Sequence, residues 1–389
     1  MSSTTQSLNS AIILPETRSG APLEGWPASP KKLYTFDPSK STWINRTPVT
    51  HAPTYPVPIM SLAVATWNVD FMAAYEKSRL KSALDLLQAL VTPLLVPCIV
   101  LIQEMHDNCF NTLLGHSFVR EWYDVTDVSS YSWENFTSNY GTVTLVPRVL
   151  AENVVSVFRT KFRGSKMGRE ALFVDLAVPT EARAANLTDP TGSKQEAQNE
   201  ALKILRIANV HLESLRGSSD AARVRQLASV ASFLSASKIH AGLVGGDMNP
   251  IAPSDPGLPT RLGLLDAWVE CHAPPTNVSP EERKEKRQAV EDDGFISRGG
   301  EAYDDPAGHT WGYQPTNRFP PRRMDKVLFV GGLKAEKIEK IGVGLKVVPE
   351  TGDDEEEEEE EEEAQEMERS PVWVSDHYGL LARFQVQPT

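Results

Sequence analysis

Gly245-Gly246-Asp247-Met248-Asn249 follows the apolar run Ala241-Gly242-Leu243-Val244. The run reads as a buried strand after the helical pattern of residues 221–236. The two glycines let the backbone turn tightly and approach another group closely. The strand therefore ends by presenting a carboxylate and a carboxamide two residues apart. A pair so placed can act on one water molecule, the Asp accepting its proton and the amide orienting it. An Asx turn that merely closes a strand has the same sequence, so the stretch gains meaning only from its neighbours.

Other apolar runs end in the same way. Residues 60–66 (MSLAVAT) read as a strand followed by Trp67-Asn68-Val69-Asp70. Residues 98–102 form a second strand, ending in Gln103-Glu104. Residues 203–210 run into His211-Leu212-Glu213-Ser214. A strand at 324–330 contains Asp325, and a last one at 379–386 is preceded by Ser375-Asp376-His377. Helical spacing marks 74–92, 107–115 and 218–236, the last with Val224, Leu227, Val230, Ala231 and Leu234 on one face. Short strands at 118–125, 141–146, 153–158 and 170–178 imply antiparallel pairing rather than a βαβ repeat. The pattern predicts an α/β fold with two sheets packed face to face and helices outside.

The 389 residues are enough for a large core. Residues 1–58, rich in Ser, Thr and Pro, read as a disordered or surface-hugging arm, with 32–36 (KLYTF) the one stretch suited to docking. Residues 59–389 read as one catalytic domain carrying polar insertions at about 180–200 and 273–306 and an acidic loop at 350–369. The net charge of −13 comes from residues 353–368, which hold 13 acids and no Lys or Arg, so the remainder is neutral. An acidic total therefore does not exclude a nucleic-acid substrate. The acidic loop is either a solvated loop or a binding segment for basic proteins. Three widely spaced cysteines argue against a disulfide framework and for a reducing compartment. No apolar run approaches the roughly 20 residues that cross a membrane, and residues 1–20 lack the features of a signal peptide. The expectation is an intracellular monomer in nucleus or cytoplasm, not secreted and without membrane contact.

The strand-end residues suit one task. A hard divalent cation takes carboxylate and carbonyl oxygens; Glu104, helped by Asn68, offers them. Asp247 suits the base that an attacking water needs. A phosphorus transition state gathers negative charge, which His377 as imidazolium, His211 and a metal would stabilise. Asp376, beside His377, is placed to orient or tune the site. Each has a plainer reading: a strand cap for Glu104, a turn for Asn68, structural histidines, a surface ion pair for Asp325. Their joint occurrence in this order favours the shared task.

Thr66-Trp67-Asn68-Val69-Asp70, Gln103-Glu104, His211-Leu212-Glu213-Ser214, Gly246-Asp247-Met248-Asn249, Arg323-Met324-Asp325-Lys326 and Ser375-Asp376-His377 resemble the ordered motifs of the endonuclease/exonuclease/phosphatase superfamily. The first and third most resemble its tyrosyl-DNA phosphodiesterase 2 branch. The resemblance covers about residues 60–386, apart from the insertions. It implies a four-layer α/β/β/α sandwich and Mg²⁺-dependent hydrolysis, with Mn²⁺ able to substitute. The implied reaction cuts 5′-phosphotyrosyl DNA bonds left by trapped topoisomerase II and leaves a 5′-phosphate, a DNA repair step. It further implies that Glu104 is the metal ligand with Asn68 beside it, that Asp247 activates water and Asn249 positions it, that His377 stabilises the phosphorane, and that His211 touches the phosphate. Trp311 of Thr310-Trp311 and Tyr140 would line the DNA groove, with Asp376 and Asp325 also on the substrate side. Pro250-Ile251-Ala252-Pro253 departs from the basic or polar run the family often carries there. The alternatives are another DNA or RNA nuclease of the superfamily, a phosphoinositide phosphatase, or an inactive scaffold.

Overall fold

The structure, a computed structural model, describes residues 12–14, 28–46, 57–133, 139–178, 203–272, 305–350 and 370–388. The insertion at 180–200, residues 273–304 and the acidic residues 351–369 lie outside them. One sheet runs, in spatial order, Ala28–Pro30, Val154–Lys161, Glu170–Val178, Lys203–His211, Ile239–Asp247, Asp325–Gly331 and Leu265–Asp266. The other runs Leu333–Ile341, Gly379–Val386, Ser61–Asn68, Cys98–His106, Tyr140–Pro147, Tyr123–Val125, Leu33–Asp37 and Thr42–Arg46.

Each sheet contains one parallel pair, Lys203–His211 with Ile239–Asp247 and Ser61–Asn68 with Cys98–His106. A parallel pair needs a crossover. The helices Ser218–Leu234 and Glu76–Val91 provide these two. Strand alternation then builds three apolar layers. Leu62, Val64, Ile99 and Leu101 meet Leu172, Val174, Leu205 and Leu243 between the sheets. Ala63, Ala65, Val100 and Ile102 point the other way, onto Leu80, Leu84 and Leu87 of the first helix. Phe173, Ala208, Val210 and Val244 do the same against Leu227, Val230 and Leu234 of the second. The result is the four-layer α/β/β/α sandwich that the sequence predicts. Each large apolar side chain so buried contributes roughly 1.5–3 kcal/mol.

Several elements differ from expectation. Residues 28–46 are not an arm lying on the surface: they supply three strands, one to the first sheet and two to the second. Leu33 is inserted between the sheets, which the polar sequence around it conceals. Residues 118–122 belong to a short helix, Ser117–Trp122, and only Tyr123–Val125 is strand. The strand Leu333–Ile341 was not foreseen, because a charged edge strand with a register shift at Ala335/Lys337 loses its period of two. In the helix Ser218–Leu234, Val224 is exposed while Arg223 and Gln226 face inward. Among the described residues no helix is long and apolar enough to cross a membrane.

Candidate active site

The inward-facing parity of the central strands ends in polar residues. On Ser61–Asn68, Leu62 and Val64 face the opposite sheet, and Thr66 and Asn68 follow at the same parity. Asn209 and His211 continue the parity of Leu205 and Ile207, and Gly245 and Asp247 that of Leu243. His211 pairs with Asp247, and Asp247 with Asp325, so three functional groups stand side by side on neighbouring strands.

Glu104 breaks this parity and needs a special device. Ile102 and Met105 both pack on the helix side, with a register shift between them. Glu104 occupies the irregularity with φ 54°, a left-handed conformation rare for a residue with a side chain. The bulge turns its carboxylate to the site, at a strain of about 1–3 kcal/mol. Asn249 is also left-handed, with φ 45°. At Gly246 (φ 142°) an added Cβ would lie 1.8 Å from the Val210 carbonyl oxygen, so only glycine fits. The glycines do not form the turn expected of them: the strand runs through both to Asp247.

The side chains converge on Asp247. Asn68 Nδ2 donates to Glu104 Oε1 and to Asp247 Oδ2, at 3.2 Å each. The Asn249 N–H donates to Asp247 Oδ1 at 2.8 Å, and Asn249 Nδ2 to the Leu212 carbonyl at 3.1 Å. His211 Nε2 lies 3.4 Å from Glu104 Oε1 and 3.5 Å from Asp247 Oδ2. His377 Nε2 lies 3.9 Å from Asp247 Oδ2 and 3.7 Å from Asp376 Oδ1. The backbone of His377 is fixed from both sides. Its N–H donates to Ser375 Oγ, which donates to the Asn68 carbonyl, while the Trp67 indole donates to the His377 carbonyl.

The two histidines differ in charge. Arg169 Nη1 donates to His211 Nδ1 at 2.7 Å, leaving the His211 proton on Nε2, toward the carboxylates. Burial holds His211 well below the ordinary imidazole range, and the Arg169 and His377 charges add to the effect. On His377, burial opposes charge, but Asp325, Asp376 and Asp247 outweigh it and hold the ring well above that range. Its Nδ1 donates to Asp325 Oδ2 at 2.8 Å. His377 is thus an imidazolium and His211 a neutral donor.

The carboxylates are uncomfortable. Burial pushes Glu104 up to about 7, against the lowering effects of His377, Arg169 and the Asn68 hydrogen bond. It pushes Asp247 up to about 6, with Asp325 adding to the shift and His377 opposing it. Ligand atoms of Glu104, His211 and Asp247 all lie within 4.8 Å of one another. A buried and a half-buried carboxylate bridged by one amide donor fit a hard divalent cation, whose charge would return both to their ionised forms.

The structure brings Asn68, Glu104, His211, Asp247, Asn249 and His377 together, and places the other candidates around them. Asp325, expected beside the substrate, is buried behind His377 and accepts from its Nδ1, because its own strand pairs with that of Asp247. Asp376 is partly exposed and accepts from Trp311 Nε1 at 2.9 Å, so both sit at the rim. Tyr140 stacks on Phe71 with ring centroids 3.7 Å apart, near Arg169 and His211.

Sequence reading missed Arg169 and gave Glu213 no role. Glu213 accepts from Ser165 Oγ, Gln226 Nε2 and the N–H groups of Lys166 and Met167. It ties the second helix to the loop that delivers Arg169 to His211. A charged residue directly before the fully buried strand Glu170–Val178 was the available signal for Arg169.

Residues 65–377 match the endonuclease/exonuclease/phosphatase family. Among solved structures, the chain is similar to TDP2 from C. elegans at 16% identity, with TM-score 0.51 over 85% of this chain and 76% of that one. A truncated C. elegans TDP2 gives 17% identity and TM-score 0.50 over 85% and 99%. An endonuclease/exonuclease/phosphatase protein from Bacteroides vulgatus gives 14% identity and TM-score 0.50 over 84% and 99%. At these identities the likeness is one of fold. No curated protein sequence matches the chain.

Proposed function

We propose that this chain, which belongs to the endonuclease/exonuclease/phosphatase family, is a metal-dependent phosphodiesterase that hydrolyses 5′-phosphotyrosyl DNA bonds and leaves a 5′-phosphate. The observation that carries the hydrolytic reading is the convergence of two imidazole Nε2 atoms and an amide on the Asp247 carboxylate. The tyrosyl reading rests on the Thr66–Asp70 and His211–Ser214 motifs, and the shared fold with TDP2 is consistent with it.

Asp247 takes the proton of the attacking water. It is ionised near neutrality, the more so beside a cation, and so is able to accept that proton. The Asn249 backbone N–H fixes one Asp247 oxygen, and the Asn249 side-chain oxygen, with its amide held by Leu212, is free to orient the water. Glu104, with Asp247 and Asn68 adjoining, would hold the cation; Mg²⁺ suits this oxygen-rich set, and when bound it supplies positive charge against the phosphate. His377 donates a charged N–H, and His211 a neutral one, to the phosphate oxygens as they gain charge. Asp325 keeps His377 protonated, and Arg169 keeps the His211 proton on Nε2. A phenolate of pKa ~10 leaves without a strong general acid.

The test is a DNA oligonucleotide with a 5′-phosphotyrosyl end, incubated with the protein and Mg²⁺, with and without chelator. Free tyrosine and a 5′-phosphate end are expected, both abolished by chelator. Intact tyrosyl ends with nicked or shortened strands would replace this reading with that of a nuclease.

A further inference from the structure

The loop after Asn249 has no basic residue of its own, yet it assembles a basic site. The Ile251 N–H donates to the Asn249 carbonyl at 2.7 Å, a three-residue turn whose centre, Pro250, has the fixed φ that such a turn prefers. Below, Asp255 Oδ2 accepts from the Ala252 N–H and from Arg223 Nε, at 2.8 Å each, and locks the loop to the second helix. The Ile251 carbonyl is then approached by two guanidinium groups from different parts of the chain. Arg216, beyond His211-Leu212-Glu213-Ser214, donates at 3.0 Å, and Arg322 at 3.1 Å.

Two cations on one carbonyl lie no more than ~6 Å apart and repel one another. Arg216 has Asp220 at 3.8 Å, but Asp220 also holds Arg223 and the Gly217 N–H. Arg322 has no carboxylate partner among the described residues. Each guanidinium spends one nitrogen on Ile251 and keeps further N–H groups for a second acceptor. A phosphate oxygen supplies both the acceptor and the missing negative charge.

The position gives the phosphate its source. The Trp311 and Arg322 backbones are bridge partners, each N–H donating to the other's carbonyl at 3.1 Å, so their side chains are neighbours. Trp311 packs toward Phe319, which is half exposed and lies under the Arg318 guanidinium. Cations alternating with aromatic faces are what a single strand of nucleic acid uses, phosphates on the former and bases on the latter. We infer that Arg216 and Arg322, gathered on the Ile251 carbonyl beside Trp311, bind the phosphodiester backbone of the strand leading away from the reacting phosphate. The inference rests on the proposed nucleic-acid substrate and adds a second point of attachment to it.

The experiment compares 5′-phosphotyrosyl hexanucleotide with 5′-phosphotyrosyl mononucleotide, which has no second phosphate. The ratio of their kcat/KM values is measured for the parent and for Arg216→Gln and Arg322→Gln. The ratio is expected to fall about tenfold in each variant. The salt dependence for the hexanucleotide is expected to weaken by about 0.7 in log–log slope for each phosphate that is no longer neutralised. An unchanged ratio and slope would overturn the inference. If Arg322→Gln does not fold, Arg322→Lys replaces it, since one ammonium cannot serve Ile251 and phosphate in the same fork geometry. Should neither substrate release tyrosine, the tyrosyl reading fails, and the cradle is tested alone by fluorescence anisotropy of a 5′-phosphorylated hexanucleotide. Equal affinity of parent and variants in that assay would refute it.

Discussion

Two polar layers lie next to each other on the same strands. Thr66, Gln103 and Asn209 form one; Asn68, Glu104, His211 and Asp247, one or two residues further along, form the other. In the first, Gln103 Nε2 donates to Asn209 Oδ1 at 2.8 Å and to Thr66 Oγ1 at 3.0 Å, while Asn209 Nδ2 donates to the Ile102 and Val143 carbonyls. Every group is neutral and each donor has an acceptor, so the layer stitches one sheet to the other. In the second, two carboxylates share the Asn68 amide and His211, each takes one backbone N–H besides, from Phe71 or Asn249, and both are still pushed toward their protonated forms. Polar burial alone does not mark a site. Unmatched charge beside a satisfied layer does.

The contrast can be broken most directly at Asp247. Asp247→Asn should reduce phosphodiester hydrolysis about 10²–10⁴-fold with an unchanged or higher melting temperature, because it removes a buried charge. Appreciable activity in this variant would deny the edge layer its role.

A second, smaller effect concerns pH. In the metal-free protein both carboxyls have folded-state pKa values above their unfolded ones, about 6 against 3.8 for Asp247 and about 7 against 4.5 for Glu104. Their contribution to stability is fully present below pH ~4 and is lost as pH rises through ~6 and ~7, the reverse of a paired carboxylate. The loss should be of the order of a few kcal/mol, seen by urea unfolding at several pH values and reduced in the double variant Asp247→Asn, Glu104→Gln. Saturating Mg²⁺ should suppress it. A parent and double variant with the same pH slope would show the two layers to be electrostatically alike.

The stitch layer should respond in the opposite sense. Asn209→Leu removes one of the three acceptors of Gln103 Nε2 and the side-chain donor to two carbonyls. It should cost about 2–3 kcal/mol in urea unfolding while keeping most of the turnover measured at low temperature. Ser375→Ala sharpens the boundary between the layers, since this hydroxyl joins the Asn68 carbonyl to the His377 N–H. About 1 kcal/mol of stability and a few-fold drop in kcat are expected, read by unfolding and initial rates.

What was legible in the sequence was what repeats with the strand period. Leu62, Val64, Thr66 and Asn68 advertise one face, and the same holds for Leu205 to His211, so the sandwich and the residues at its edge follow. Glu104 was found through its motif, not its parity, since a bulge cancels the alternation that would have turned it outward. Asp325 was misplaced because nothing in Arg323-Met324-Asp325-Lys326 states that its strand lies beside Asp247. Arg169 and the Arg216–Arg322 pair depend on contacts between segments far apart in the chain, which no local pattern records. The strands at 28–46 were obscured by Pro and Thr, residues that suit sheet edges as well as coil.

The segment from Ala28 to Asp37 leaves one sheet and enters the other within a few residues. Leu33–Asp37 finds one partner at once in Thr42–Arg46, but the strands that join the segment to the sheets, Phe158 to Thr160 on one side and Val125 on the other, come more than ninety positions later. On the ribosome the hairpin of Leu33–Asp37 with Thr42–Arg46 must therefore wait without a sheet to join, and Ala28–Pro30 without its partner strand, while that stretch is synthesised, for on the order of 5–25 s at ordinary elongation rates. During that interval the apolar face of Leu33 has no home in the chain, and the nascent protein depends on chaperones or on local collapse to keep it from other molecules.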